Sequence, residues 1–141
     1  MNTVDENYSA IGALVLRLAL GAMWIAHALL KWFVITIPGF AGWLESEGLP
    51  AFMAWPVFSL ELIGGIMILL GVYGRYVSAI LIPVMLVAAW THIGNGWIHT
   101  STGGGWEYPV FLLFASIAHT LIGDGRYALR SNQDLIPSGL R

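Results

Sequence analysis

The sequence predicts an all-α membrane protein, a bundle of four transmembrane helices, and three observations carry that expectation. Hydrophobic residues fill 57% of the 141 positions and charged residues only 10%, whereas a soluble domain carries about 25% charged residues to meet water. The hydrophobic residues gather into four blocks, each near the roughly 20 residues that cross a bilayer core as a helix. The Arg residues outside those blocks collect on alternate connections, the pattern of the positive-inside bias. The mean hydropathy of +0.75 agrees.

The first block covers residues 10–37. Met1 to Ala10 carry Asp5 and Glu6 but no Lys or Arg. Without a positive leader the block is expected to stay as the first span rather than serve as a cleaved export signal. Pro38-Gly39 and Gly48-Leu49-Pro50 bracket the first loop, which has room for a short interfacial helix around Phe40 to Glu45. The second block, 51–72, ends at a tight turn marked by Gly71 and Gly74, and the third covers 76–93. Asn95-Gly96 and Gly103-Gly104-Gly105 mark the next connection, and the fourth block covers 106–123. No internal repeat or linker divides the chain, so residues 1–141 are read as one domain.

Orientation follows from the basic residues. Arg75 lies in the second connection, and Arg126, Arg130 and Arg141 follow the fourth block. The first and third loops hold no Arg, and only Lys31 lies near them. The reading is therefore a multi-pass protein of the inner (plasma) membrane with both termini cytoplasmic. In that topology Trp32, Trp43, Trp55, Trp90, Trp97 and Trp106 fall near the outer interface, with Tyr8, Tyr73, Tyr76 and Tyr127 near the inner one. Aromatic belts of this kind support the spans more than their direction. The net charge of −2 offers no footprint for nucleic acid. The absence of Cys excludes thiolate nucleophiles, dithiol relays and iron–sulfur ligation by this chain.

Seven ionisable residues fall inside or at the ends of the blocks: Arg17, His27, Lys31, Glu61, His92, Glu107 and His119. A charge at mid-bilayer costs at least about 2.5–3.5 kcal/mol, so each must face the interior, pair, or lose its charge. On a helical wheel Arg17, Trp24, Ala28 and Lys31 fall within about 60° of one another, with His27 on the flank. By depth, Arg17 and Glu61 suit a structural ion pair between the first two spans. His27, Lys31, His92 and Glu107 lie in the outer half on three helices, and their convergence would make a polar pocket. The bland readings are that Lys31 snorkels to the headgroups, that His119 is a satisfied interior group, and that His99 is solvated in its loop. Gly64, Gly65 and Gly71 are read as permitting close helix approach. Haem between His27 and His92, or zinc or iron held by these two with Glu107, would rest on depth alone; nothing else in the sequence marks a cofactor.

A series of short motifs runs through the chain. Leu16-Arg17-Leu18-Ala19-Leu20-Gly21 leads to His27 and Lys31, then to Gly48-Leu49-Pro50 and Glu61-Leu62-Ile63-Gly64-Gly65. Gly71-Val72-Tyr73-Gly74-Arg75, His92-Ile93-Gly94-Asn95-Gly96-Trp97, Gly105-Trp106-Glu107-Tyr108 and Gly123-Asp124-Gly125-Arg126-Tyr127 follow. In order and spacing, from about residue 12 to 130, they resemble the DoxX family of small membrane proteins. The resemblance implies four transmembrane helices and an association with membrane redox chemistry, as in the membrane subunits of thiosulfate:quinone oxidoreductase. It also implies that Arg17, Lys31, Glu61 and Glu107 matter, with His27 and His92 beside them.

The leading expectation is a membrane subunit of a quinone-linked oxidoreductase. A quinone head needs hydrogen-bond partners at its carbonyls and groups that move protons. His27, Lys31, His92 and Glu107 are the candidates for that work, with Trp90 or Trp106 stacking on the ring and a redox partner protein supplying electrons. Two other classes stay open: a non-catalytic membrane anchor or partner of a redox protein, and a small proton-coupled carrier, which a homo-oligomer would enlarge.

Overall fold

The computed structural model describes residues 3–130, so Arg141 of the orientation argument lies outside the described residues. The chain is an all-α membrane bundle. It comprises α1 (Thr3–Leu30), a π-helix (Lys31–Ile35), α2 (Ile37–Ser46), α3 (Ala54–Leu70), α4 (Gly74–His92) and α5 (Glu107–Ile122). Among the described residues three stretches are long and apolar enough to cross a bilayer: Val4–Ile35, Ala51–Leu70 and Gly74–Asn95. The fourth, Glu107–Ile122, is apolar but shorter. It nonetheless runs the length of the bundle, because it starts where Glu107 N–H bonds the Trp97 carbonyl (3.0 Å) and ends beside the first residue of α4.

Lipid replaces water around such a fold, and the outer faces show it. Val15, Leu18, Ile63, Ile66, Ile80, Leu86, Phe111, Phe114 and Leu121 are all exposed. With no hydrophobic force between helices in lipid, close packing has to hold them together. Helices α1 and α3 meet at small residues. A Cβ on Gly21 would lie 2.7 Å from Leu69 N, and one on Gly65 would lie 2.9 Å from Ile25 N. Gly65→Ala is therefore expected to destabilise the bundle by about 1–3 kcal/mol. Gly12→Ala, with nothing within 4 Å, should be neutral or slightly stabilising, since Ala favours helix over Gly by about 1 kcal/mol. Thermal melting of the two variants in one detergent checks the contrast.

The α3–α4 turn is a Schellman arrangement. Val72 N–H bonds the Met67 carbonyl (2.8 Å) and Gly71 N–H the Ile68 carbonyl (3.0 Å), with Gly71 at φ 68°. Residues 123–130 then fold back across this end as a strap. Arg126 N–H bonds Ala10 O (3.2 Å), Leu129 N–H bonds Leu70 O (3.2 Å), and Arg130 exchanges bonds with Gly71 and Tyr73. The start of α1, the α3–α4 turn and the strap thus share one end, the terminal end. Residues 31–53 and 93–106 form the loop end. Between them lies an apolar plug of Leu20, Trp24, Ile68, Val77, Leu81, Met85 and Leu112.

Candidate functional site

Antiparallel α1 and α3 set the register of their buried charges. With Gly21 level with Leu69 and Ile25 level with Gly65, Glu61 falls level with the last turn of α1. Arg17 falls level with residues 71–73, roughly 18 Å away at 1.5 Å per residue. The expected Arg17–Glu61 pair is therefore corrected. Glu61 pairs with Lys31, whose Nζ donates to Oε1 at 3.0 Å and Oε2 at 2.7 Å. The Glu61 side chain is 3% exposed and that of Lys31 13%, so Lys31 does not snorkel outward.

Around this pair the backbone departs from regular helix. Lys31 opens the π-helix, a rare form that recurs at functional sites. Thr36 ends it at φ 64° and ψ 153°, a conformation costing a β-branched residue of the order of 1–3 kcal/mol. The departure has a local compensation: Thr36 Oγ1 accepts from Gly39 N–H (3.2 Å) and caps α2. Helix α2 then folds back over the pair, burying Ile37, Phe40 and Leu44 with Ala28, Ala54 and Phe58. The Phe40 ring centroid lies 5.1 Å from Lys31 Nζ, within cation–π range.

His27 stands on the α5 side of the pair. Its Nδ1 lies 2.9 Å from the Met23 carbonyl. A carbonyl only accepts, so Nδ1 carries the proton and Nε2 is left as the free nitrogen. Tyr108 stacks on the ring at 5.1 Å and 16°, its hydroxyl 3.5 Å from Nδ1. His92 repeats the arrangement on α4, with Nδ1 2.8 Å from the Ala88 carbonyl, and packs 6.0 Å from the Trp43 ring.

The predicted four-residue pocket is only partly assembled. Lys31 and His27 flank Glu61, whereas among the described residues no hydrogen bond joins His92 or Glu107 to them. Glu107 turns instead into the 93–106 loop, where its Oε1 accepts from His99 N–H (2.8 Å) and pairs with His99 Nδ1 (2.7 Å). His99 is exposed in its loop, as expected of a solvated residue, and is also tied to a carboxylate. Trp90 is 59% exposed and faces outward, and Trp106 packs edge-on against Trp97 at 4.4 Å. Neither indole stacks beside the histidines. The nearby rings are Phe40, Tyr108 and Trp43, which sequence depth alone does not single out. On the outer surface between α1 and α3, an open apolar groove of about 400 Å³ is lined by Leu29, Trp32, Phe33, Trp55, Phe58 and Leu62, sequence neighbours of Lys31 and Glu61 that do not include either charge. Trp32 stacks on Phe58 at 5.4 Å within it. No group of three or more His, Asp or Glu suited to a metal occurs among the described residues.

A second polar cluster sits at the terminal end. Arg17, 2% exposed, donates through Nη2 to the carbonyls of Arg126 (3.2 Å) and Tyr127 (3.4 Å). His119 Nδ1 lies 2.7 Å from Ser78 Oγ, and His119 Nε2 lies 3.5 Å from Asp124 Oδ1. Burial pushes the Asp124 carboxyl above its ordinary value, against the pull of Arg17 and Arg75. A raised carboxyl binds its proton more tightly folded than unfolded, so its stabilisation is full at low pH and is lost as pH rises through the folded value. Melting curves of wild type against Asp124→Asn are expected to show that slope only in the wild type.

Comparison with known proteins adds three findings. The DoxX family profile matches residues 12–94. A protein of Bacillus subtilis (strain 168) named "Putative oxidoreductase CatD" is 32% identical over 122 residues, covering 84% of this chain and 84% of that protein. No solved structure matches the chain.

Proposed function

The chain belongs to the DoxX family, and we propose that it is the membrane subunit of a quinone-linked oxidoreductase. The carrying observation is the Lys31–Glu61 pair, buried where α1 turns into a π-helix and Thr36 is strained. Intramembrane charge is costly, and where it persists it usually marks a substrate or proton path. A relative bearing the name of an oxidoreductase supports redox chemistry as the use of that path.

In this reading a ring dissolved in the membrane approaches through the aromatic groove beside Trp32, Trp55 and Phe58. Lys31 supplies N–H donors to a quinone carbonyl, as its ammonium has three and Glu61 takes only part of them. Glu61 and the free Nε2 of His27 hold and pass the protons that reduction requires. Tyr108 orients His27 by stacking. With no Cys in the chain, electrons arrive from a partner protein rather than through thiols. His92, packed on Trp43, and the Glu107–His99 pair lie at the same loop end without bonding to Lys31 or Glu61. The membrane is the inner (plasma) membrane, with the terminal end cytoplasmic. Arg75, Arg126 and Arg130 at that end, and no Arg at the other, support this orientation.

Titrating a short-chain benzoquinone into the protein in lipid nanodiscs tests the proposal. Saturable tryptophan quenching and a raised melting temperature are expected. Lys31→Met should weaken binding about tenfold or more, the worth of about 1.4 kcal/mol. No saturable binding by the wild type would contradict it.

A further inference from the structure

The proposed redox site leaves Ser78, His119 and Asp124 unused, although all three are buried at the terminal end. Ser78 and His119 are fully buried, and Asp124 is 5% exposed. They lie in one line, with Ser78 Oγ to His119 Nδ1 at 2.7 Å and His119 Nε2 to Asp124 Oδ1 at 3.5 Å. His119 Nε2 and both Asp124 oxygens have no hydrogen-bond partner within the limits of a normal bond among the described residues. Native proteins seldom leave buried polar atoms in that condition, and each case calls for a reason. Space is kept for the carboxyl as well. A Cβ on Gly74 would collide with Asp124 Oδ1 and come within 3.0 Å of His119 Cε1.

We propose that Ser78, His119 and Asp124 form a proton wire, through which a proton passes between the bundle interior and the terminal end. The three groups have two arrangements that differ by one proton. In the first, Asp124 is a carboxylate, His119 carries its hydrogen on Nε2 and donates it to Asp124, and the Ser78 hydroxyl donates to Nδ1. In the second, Asp124 is a carboxylic acid donating to Nε2, and His119 carries its hydrogen on Nδ1 and donates to Ser78 Oγ.

Conversion conserves every atom. A proton binds Ser78 Oγ, the hydroxyl's own hydrogen moves to His119 Nδ1, and the Nε2–H bond breaks as an O–H bond forms on Asp124. The reverse sequence delivers a proton inward. Imidazole can do this because its two nitrogens exchange donor and acceptor roles, and serine because its hydroxyl does both.

The charged groups facing this line are few. Arg17 comes from α1 and Arg75 from the start of α4. Both favour the carboxylate, whereas burial favours the acid. The carboxyl also lies over the backbone N–H groups of Gly74 and Arg75 without closing a normal hydrogen bond to them. Ser116, fully buried with an unpartnered hydroxyl, stands one turn before His119 on α5. The apolar plug of Leu20, Ile68, Leu81 and Leu112 lies between this wire and the Lys31–Glu61 pair, so the wire stands on its own observations.

The test is nitrogen-15 NMR of histidine-labelled protein in lipid nanodiscs across an acid titration, with no quinone present. The His119 hydrogen is expected on Nε2 at high pH and on Nδ1 at low pH. Infrared spectra of the same wild-type samples should show a protonated carboxyl band growing with the same midpoint. In Asp124→Asn the pH-linked change of tautomer should be lost. A single His119 tautomer at every pH in the wild type overturns the proposal. So does a tautomer change that survives in Asp124→Asn, or a carboxyl band that grows without one. The wild-type comparison of the two spectra decides the matter even if the variant fails to fold.

Discussion

Replacing Glu61 with Ala is expected to cost the bundle about 3–5 kcal/mol, the usual penalty for stripping one partner from a buried ion pair. Lys31 Nζ, beneath Phe40, would lose both carboxylate bonds, which the structure holds at 2.7 and 3.0 Å. The cost lies in the stranded charge rather than in the net worth of the pair. The double variant Lys31→Met/Glu61→Leu should therefore recover most of the lost stability while abolishing quinone binding. Melting temperatures of the three proteins in one detergent give the comparison. A double variant as unstable as Glu61→Ala would show that the pair itself holds the helices together.

The second large effect is expected from Arg17→Ala. That change removes the two bonds to the Arg126 and Tyr127 carbonyls and leaves Asp124 without its α1 counter-charge. The loss should be of the order of 3 kcal/mol, concentrated at the strap. Because the chain has no Cys, an Ala128→Cys substitution gives one thiol to follow. Thiol labelling at that position should be slow in the presence of Arg17 and fast after its removal. Equal labelling rates would mean that the backbone bonds from Leu129 and Arg130 suffice to hold the strap.

Much of the fold was legible in the sequence because lipid imposes a simple rule. Apolar blocks of about 20 residues become helices, since a helix satisfies every backbone group within its own segment inside the bilayer. The short helix expected around Phe40 to Glu45 is α2, Ile37–Ser46. The pairing of charges was less legible. Depth counted from block midpoints sets Arg17 near Glu61, but register follows from where glycines admit backbone, at Gly21 and Gly65. That contact slides Arg17 to the terminal end and brings Lys31 to Glu61. The π-helix has no composition of its own in Lys-Trp-Phe-Val-Ile, so nothing short of the fold reveals it.

The candidate site divides in the same way. His27 and Lys31 lie on one face because they are four residues apart, and the structure keeps them together around Glu61. Glu107 shares their depth but lies at the first turn of α5, where the 93–106 loop offers His99 within reach. Trp90 shares it too, yet its angular position on α4 turns it to lipid. The Ser78–His119–Asp124 line combines α4, α5 and the strap. Residues so far apart in sequence carry no spacing signal, and a lone His in an apolar helix reads as an ordinary interior group.

A membrane-dissolved quinone bound beside Lys31 and Glu61 should be caught there by a photoreactive benzoquinone and located by mass-spectrometric mapping. Labelling of the wild-type protein in native membranes should fall in residues 29–33 and 55–62, the segments lining the aromatic groove. It should be competed by unlabelled quinone and be lost in Lys31→Met. Labelling at the terminal end, or labelling that neither saturates nor responds to Lys31→Met, would contradict the account.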